Sequence, residues 1–226
     1  VKNRIPTYGS KWHLFRYLGY HRAALDRHIE DKIRGQNIRW VDFHFDPQAD
    51  FLDAERKGLD FLADDLPVQE AWKDFWPQTG NVPNWDAVGW IHVGSQPEVL
   101  LVEAKSHPRE VISKCGAKEA GGLNSIKAAL EQAKAAFGVP AHHDWLKPYY
   151  QYCNRLAVLY FLVKNNIAAR LLFIYFLGDR IPNCECSKDE AGWDATLQQM
   201  YAHIGLTGKS ALEGRIHTLF LPVCPP

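Results

Sequence analysis

Residues 85–93 and 98–105 are two β-prone runs joined by Gly94-Ser95-Gln96-Pro97, and this pair constrains the chain more than any other segment. Val88, Trp90, Ile91 and Val93 fill the first run and Val99, Leu100, Leu101 and Val102 the second; these residues suit a pleated, half-buried surface. The tetrapeptide between them has the Gly and Pro chemistry of a tight hairpin turn. With Ser95 and Gln96 as the two loop residues, Gly94 faces Pro97, Val88 faces Glu103 and Asp86 faces Lys105. Side chains alternate along a strand, so Asp86, Val88, Glu103 and Lys105 share one face. The diagonal from Asp86 to Glu103 is then about 7–8 Å between backbone positions. A slip of one residue in one strand sends Asp86 to the other face.

An acid, a second acid and a base converging after a buried VLLV run are costly unless they pair well or coordinate something. The plainer reading is a solvated cross-strand ion pair, which contributes only a few tenths of a kcal/mol. The chemical reading is a hard-cation site. Mg²⁺ and Mn²⁺ want oxygen ligands, and one or two carboxylates with waters and phosphate oxygens make a usual Mg²⁺ site. Asp86 and Glu103 supply those oxygens, and Lys105 beside them is suited to orient an attacking water and to stabilise negative charge in the transition state. That chemistry is phosphodiester hydrolysis.

The fragment WDAVGWIHVGSQPEVLLVEAKSH resembles the PD-(D/E)xK nuclease superfamily, in which an Asp opens one strand and E-x-K closes the next after an apolar run. Pro83 stands apart from Asp86, with Asn84-Trp85 between them, where the family pattern sets the two together. The resemblance implies a restriction-endonuclease-like α/β core, a central mixed β-sheet flanked by helices on both faces. It implies metal binding by Asp86, Glu103 and the Ala104 carbonyl, and catalysis by Lys105. A helix before the hairpin often adds an acid in this superfamily and a helix after it a polar residue facing the site; Glu30 and Gln151 are the matching positions, Glu30 as a metal ligand and Gln151 as a catalytic group. The implied cofactor is Mg²⁺ or Mn²⁺ and the implied partner a nucleic acid, DNA by analogy with the family. A catalytically inactive nuclease-fold binding module and a hydrolase of small phosphoesters are the alternatives. The oligomeric state is left open, a homodimer included.

Around the hairpin, hydrophobic spacing predicts an opening helix over 12–34, ending at Gly35, and a strand over 38–45 stopped by Pro47. One or two short amphipathic helices are expected over 51–76, broken at Pro67. Helices are predicted over 108–115, 123–137 and 144–164, the last N-capped by Asp144. A strand buried on both faces fits 168–177, and a helix over 187–203 and a strand over 215–223 close the chain. This order reads as one domain over residues 1–226, with an N-terminal helical elaboration over about 1–80.

Lys and Arg number 26, as do Asp and Glu, giving a formal net charge of zero, so no global field attracts a polyanion. Any phosphate-binding surface must come from local clustering. The five cysteines are an odd number, and with no charged-then-apolar leader they argue against a disulfide scaffold and for a reducing, cytoplasmic setting. The apolar runs near 156–163 and 167–177 are interrupted by Lys164, Asn165, Asn166 and Arg170, short of the roughly 20 residues of a membrane span. His92 and His142-His143 read as structural or exposed, because adjacent His cannot share a helical face. Cys184-x-Cys186 lacks a second pair at zinc-finger spacing, with Cys153 and Cys224 remote. His107 is placed either to brush a substrate or to cap its strand. Gly116 and Gly121-Gly122 lack the Lys-Ser/Thr of a phosphate-binding loop.

Overall fold

The computed structural model describes residues 7–41, 55–62, 64–78, 80 and 82–224. In chain order these build α1 (Ser10–Tyr20), α2 (Arg22–Ile33), β1 (Gln36–Val41), β2 (Arg56–Lys57), α3 (Leu66–Phe75), β3 (Asn84–Trp85), β4 (Ala87–Val93), β5 (Gln96–Lys105), α4 (Leu123–Phe137), α5 (Tyr150–Lys164), β6 (Ala169–Leu177), α6 (Ala191–Ile204) and β7 (Ile216–Pro222). The sheet has five strands in the order β1-β4-β5-β6-β7, and β2 pairs with β3 beside it. β1, β4 and β5 run antiparallel in succession, whereas β5, β6 and β7 are parallel. The protein is thus α/β, with a five-stranded mixed sheet packed against helices.

Alternation along β5 divides the core in two. Val99 and Leu101 point to one face, with Trp72, Trp76, Leu130, Leu156, Leu159, Trp193 and Met200 from α3, α4, α5, α6 and the residue after α3. Leu100, Val102 and Ala104 point to the other face, where α1 and α2 bring Leu14, Tyr17, Leu25, Ile29 and Ile33. Both parallel crossovers therefore lie on the first face: α4 and α5 link β5 to β6, and α6 links β6 to β7. At about 1.5–3 kcal/mol for each large apolar side chain taken from water, these two layers fix which way every β5 side chain points. Glu103 and Lys105 share the parity of Leu101, so they face the α5 layer.

The hairpin turn sits one residue earlier than the sequence suggests. Val93 pairs with Gln96, making Gly94-Ser95 the loop, and Gly94 takes φ 62°. A type II′ turn requires that conformation at its first loop position, and Gly adopts it without steric cost. Moving the turn by one residue shifts partners by two positions. Side-chain parity survives, but Ala87 now faces Val102, and the same register continued brings Asp86 opposite Glu103 in place of Lys105.

Other expectations need correction. The opening helix is two helices, broken at His21, which lies at φ −126° and ψ 27°. Gly35 follows it because a Cβ there would come within 2.6 Å of the Ile91 side chain. The predicted 38–45 strand is seen as β1, and its later residues lie outside the described ones. Pro67 starts α3 and does not break a helix: Asp65 caps it by accepting from the Val68 N–H at 3.3 Å, and Pro sits in the first turn, where its missing N–H costs nothing. Residues 108–115 form only a 3₁₀ turn over Pro108–Val111 and then extend. α5 begins at Tyr150, not at 144, since Pro148 disfavours helical backbone in the residue before it. Asp144 instead closes a local turn, accepting from the Leu146 N–H at 2.8 Å. By contrast α4 matches its predicted span. Its Ile126, Ala129, Leu130, Ala133 and Phe137 form one buried stripe, and Gly138 ends it at φ 69°. Among the described residues no helix is long and apolar enough to cross a membrane.

Candidate metal-binding and catalytic cleft

The C-terminal end of β5, the start of β4 and the first turns of α5 open onto a cleft of about 820 Å³. Asp86, Glu103, Ala104, Lys105 and Gln151 all line it, so five of the six positions expected at the site lie together. Glu30 does not. It rides on α2 behind the opposite sheet face, beside Asp26, whose carboxyl is pushed up by burial and further by Glu30. Glu30 is therefore corrected to a position remote from the carboxylate pair, because α2 packs its Leu25, Ile29 and Ile33 onto the face that Glu103 turns away from.

Asp86 is half-buried and its Oδ2 accepts from the Ala104 N–H at 2.7 Å. Glu103 is 2% exposed. Its Oε1 accepts from Lys105 Nζ, and its Oε2 accepts from Arg155 Nε at 2.8 Å. Arg155 also donates through Nη1 to Asn154 Oδ1 at 2.7 Å and through Nη2 to the Asn84 carbonyl, and its guanidinium lies 4.8 Å from the centre of the Trp85 ring. Trp85 is held in turn by its indole N–H, which donates to the Gly58 carbonyl at 2.9 Å. A continuous polar chain thus runs from the β2–β3 pair through α5 to the end of β5.

The two carboxyls are driven in opposite directions. Asp86 is pushed up to about 7, first by burial and then by the negative charge of Glu103, against the opposing pull of Lys105, the Ala104 N–H and Arg155. Burial also pushes Glu103 upward, but Arg155 and Lys105 outweigh it and hold the carboxyl below its usual range. Two acids close enough to repel, facing a solvent-filled cleft, are a donor set that a divalent cation relieves. Two carboxylates and one backbone carbonyl are also few enough to leave room for waters and phosphate oxygens. Among the described residues no three or more His, Cys, Asp and Glu side chains gather as a metal centre, in this cleft or outside it, so Asp86 and Glu103 meet as two carboxylates only. The His142 and His143 rings lie 4.3 Å apart, tilted by 31°, His143 contacting the His203 carbonyl through Nδ1 at 2.6 Å.

Two neighbouring features shape the cleft. Beyond Lys105, the Ser106 N–H donates to Glu110 Oε2 at 2.7 Å, and His107 turns toward Glu110 at 3.5 Å and does not line the cleft. Asp179, just after β6, accepts from the Gly9 N–H at 2.9 Å and lies 3.0 Å from His13 Nε2. This buried pair anchors the start of α1, so that Ser10 forms part of the cleft wall. Burial pushes Asp179 upward, but His13 and the Gly9 N–H help hold it below the usual carboxylate range.

Arg155 is a site residue to which no sequence motif points. Its spacing four residues after Gln151 puts both on one helical face, and that face does reach the cleft. The bond to Glu103 spans 52 residues of sequence, which no local pattern reports. Lys114, Lys118, Tyr150 and Asn154 also line the cleft without any motif to announce them.

Comparison with protein-family models, with curated proteins and with solved structures finds no match for this chain.

Proposed function

We propose that this protein is a Mg²⁺- or Mn²⁺-dependent nuclease with a restriction-endonuclease-like core, hydrolysing phosphodiester bonds of DNA. The observation that carries the reading is the meeting of Asp86, Glu103 and Lys105 at the end of the central strands, on the cleft side of the sheet. Asp86, Glu103 and the Ala104 carbonyl would hold a divalent ion, which would supply positive charge to the phosphate and acidify a bound water. The chain's own groups do the rest. Arg155 keeps Glu103 ionised and fixed in rotamer at the cleft wall. Lys105, on the same face, is within reach of the attacking water and of the developing phosphate charge. Gln151 adds a neutral donor and acceptor on the α5 wall.

Cleavage of end-labelled DNA and RNA in Mg²⁺ or Mn²⁺, compared among wild type, Lys105→Ala and Asp86→Ala, tests this. Metal-dependent cleavage lost in both variants is the expected result; cleavage that ignores the metal or the substitutions rejects the reading. A second reading, a nuclease-fold binding module without activity, has one observation in its favour. Glu103 already has two cationic partners, so the buried charge is satisfied with no metal. Binding of DNA with no cleavage in either ion favours that second reading.

A further inference from the structure

After Val111 the chain leaves helical geometry and runs extended along the start of α5. Cys115 N–H donates to the Leu146 carbonyl at 2.8 Å, Tyr150 N–H to the Ser113 carbonyl at 3.2 Å, and Gln151 N–H to Ser113 Oγ at 2.8 Å. These bonds tie the strap to the same helix turn that carries Gln151. Extended backbone alternates its side chains. Cys115 and Ala117 accordingly pack against the core, Ala117 also touching the cleft, while Lys114, Gly116 and Lys118 are exposed and line it. A Cβ at Gly116 would meet nothing within 4 Å, so the space between the two lysines is open.

The cations of the cleft then divide into two classes. Lys105 and Arg155 both pair with Glu103. The cleft's third carboxylate, Glu55, is paired with Lys11 at 3.1 Å. Lys114 and Lys118 line the same cleft and meet no carboxylate among the described residues, which leaves their charge free for a ligand in it. Four residues of extended chain put their backbones about 13 Å apart, roughly four base-pair rises along one strand of a duplex. At that spacing each lysine can reach a phosphate of its own.

We propose that the strap carrying Lys114 and Lys118 is the track for the nucleic-acid backbone, contacting two separate phosphates away from the one cut at Asp86 and Glu103. The proposal rests on the nuclease reading and deepens it. It makes Lys114 and Lys118 sequence-independent binding residues, a local source of positive charge in a chain whose zero net charge gives no global field.

The test is the salt dependence of binding, which requires no catalysis. Fluorescence anisotropy of a labelled DNA oligonucleotide is measured in EDTA between 50 and 200 mM salt, scanned as about a fourfold range, for the full chain and for Lys114→Ala with Lys118→Ala. Loss of two phosphate contacts lowers the slope of log affinity against log salt by about 1.4–1.8. Lys127→Ala, an exposed lysine away from this cleft, leaves the slope unchanged. In Mn²⁺ the double variant raises KM with kcat retained. Equal slopes for wild type and the double variant overturn the strap, whatever the catalytic result. The nuclease reading fails separately, through cleavage that Lys105→Ala does not reduce, and the slope difference is read independently of that outcome.

Discussion

Replacing Asp86 by Asn removes a carboxyl whose ionisation the fold opposes, and the consequence for stability can be worked from its surroundings. In the folded protein this carboxyl titrates at about 7 against 3.8 for the free group. The folded state therefore binds the proton more tightly than the unfolded one. Stability from this group is fully present below about pH 4 and falls as pH rises to about 7, beyond which the loss is constant. At about 1.4 kcal/mol per tenfold change in acidity the ceiling is about 4 kcal/mol. Asp86 lines a wet cleft, so screening reduces this to about 1–3 kcal/mol. Asn keeps an oxygen for the Ala104 N–H and carries no charge against Glu103. For a chain of this size, where 1 kcal/mol moves Tm by about 2–4 °C, Asp86→Asn should melt several degrees above wild type at pH 8 in EDTA and alongside it near pH 4. Circular dichroism melts at the two pH values measure it. A variant that melts below wild type at pH 8 refutes the reasoning, since the carboxylate would then be stabilising where the fold is said to strain against it.

Glu103→Gln should act with the opposite sign, because it strands Arg155 and Lys105 without their counter-charge; urea unfolding is expected to show a loss of about 3–5 kcal/mol. Arg155→Lys keeps the charge but not the fork that reaches Glu103, Asn154 and the Asn84 carbonyl, so stability should fall by about 1–3 kcal/mol and Mn²⁺ affinity by about 10–100-fold, read by calorimetric titration. Gly122→Ala meets two obstacles, a φ of 88° and the Pro77 Cβ at 2.6 Å from the new methyl carbon. A stability loss of about 1–3 kcal/mol follows, visible as a lowered Tm.

Legibility in the sequence tracks how local each determinant is. α4 follows from the periodicity of one segment and matches its span, and β6 follows from one continuous apolar run and starts one residue later than expected. The common face of Asp86, Glu103 and Lys105 survived a misplaced turn because a one-residue move of a hairpin turn preserves parity. Only the partner changed, and the cause, Gly94 taking the first loop position at φ 62°, belongs to turn chemistry and not to hydrophobic pattern. Pro67 and Pro148 were harder, since the same residue starts one helix and delays another; which it does depends on what precedes it. Glu30 and Arg155 mark the limit. Both sit on helices with sensible spacing, but which sheet face a helix covers is decided by packing across the whole fold. That packing sends Glu30 behind the sheet and brings Arg155, 3% exposed, onto Glu103. Polar residues on an aromatic helix read equally well as solvent decoration until the cleft is seen.

The central claim is that Asp86 and Glu103 form one divalent-ion site. Isothermal titration of Mn²⁺ into wild type and into Asp86→Asn, both verified as folded, tests it most directly. A single site in wild type that Asp86→Asn weakens by at least about tenfold is the predicted result. Equal Mn²⁺ binding by the two proteins, or none by wild type, contradicts it.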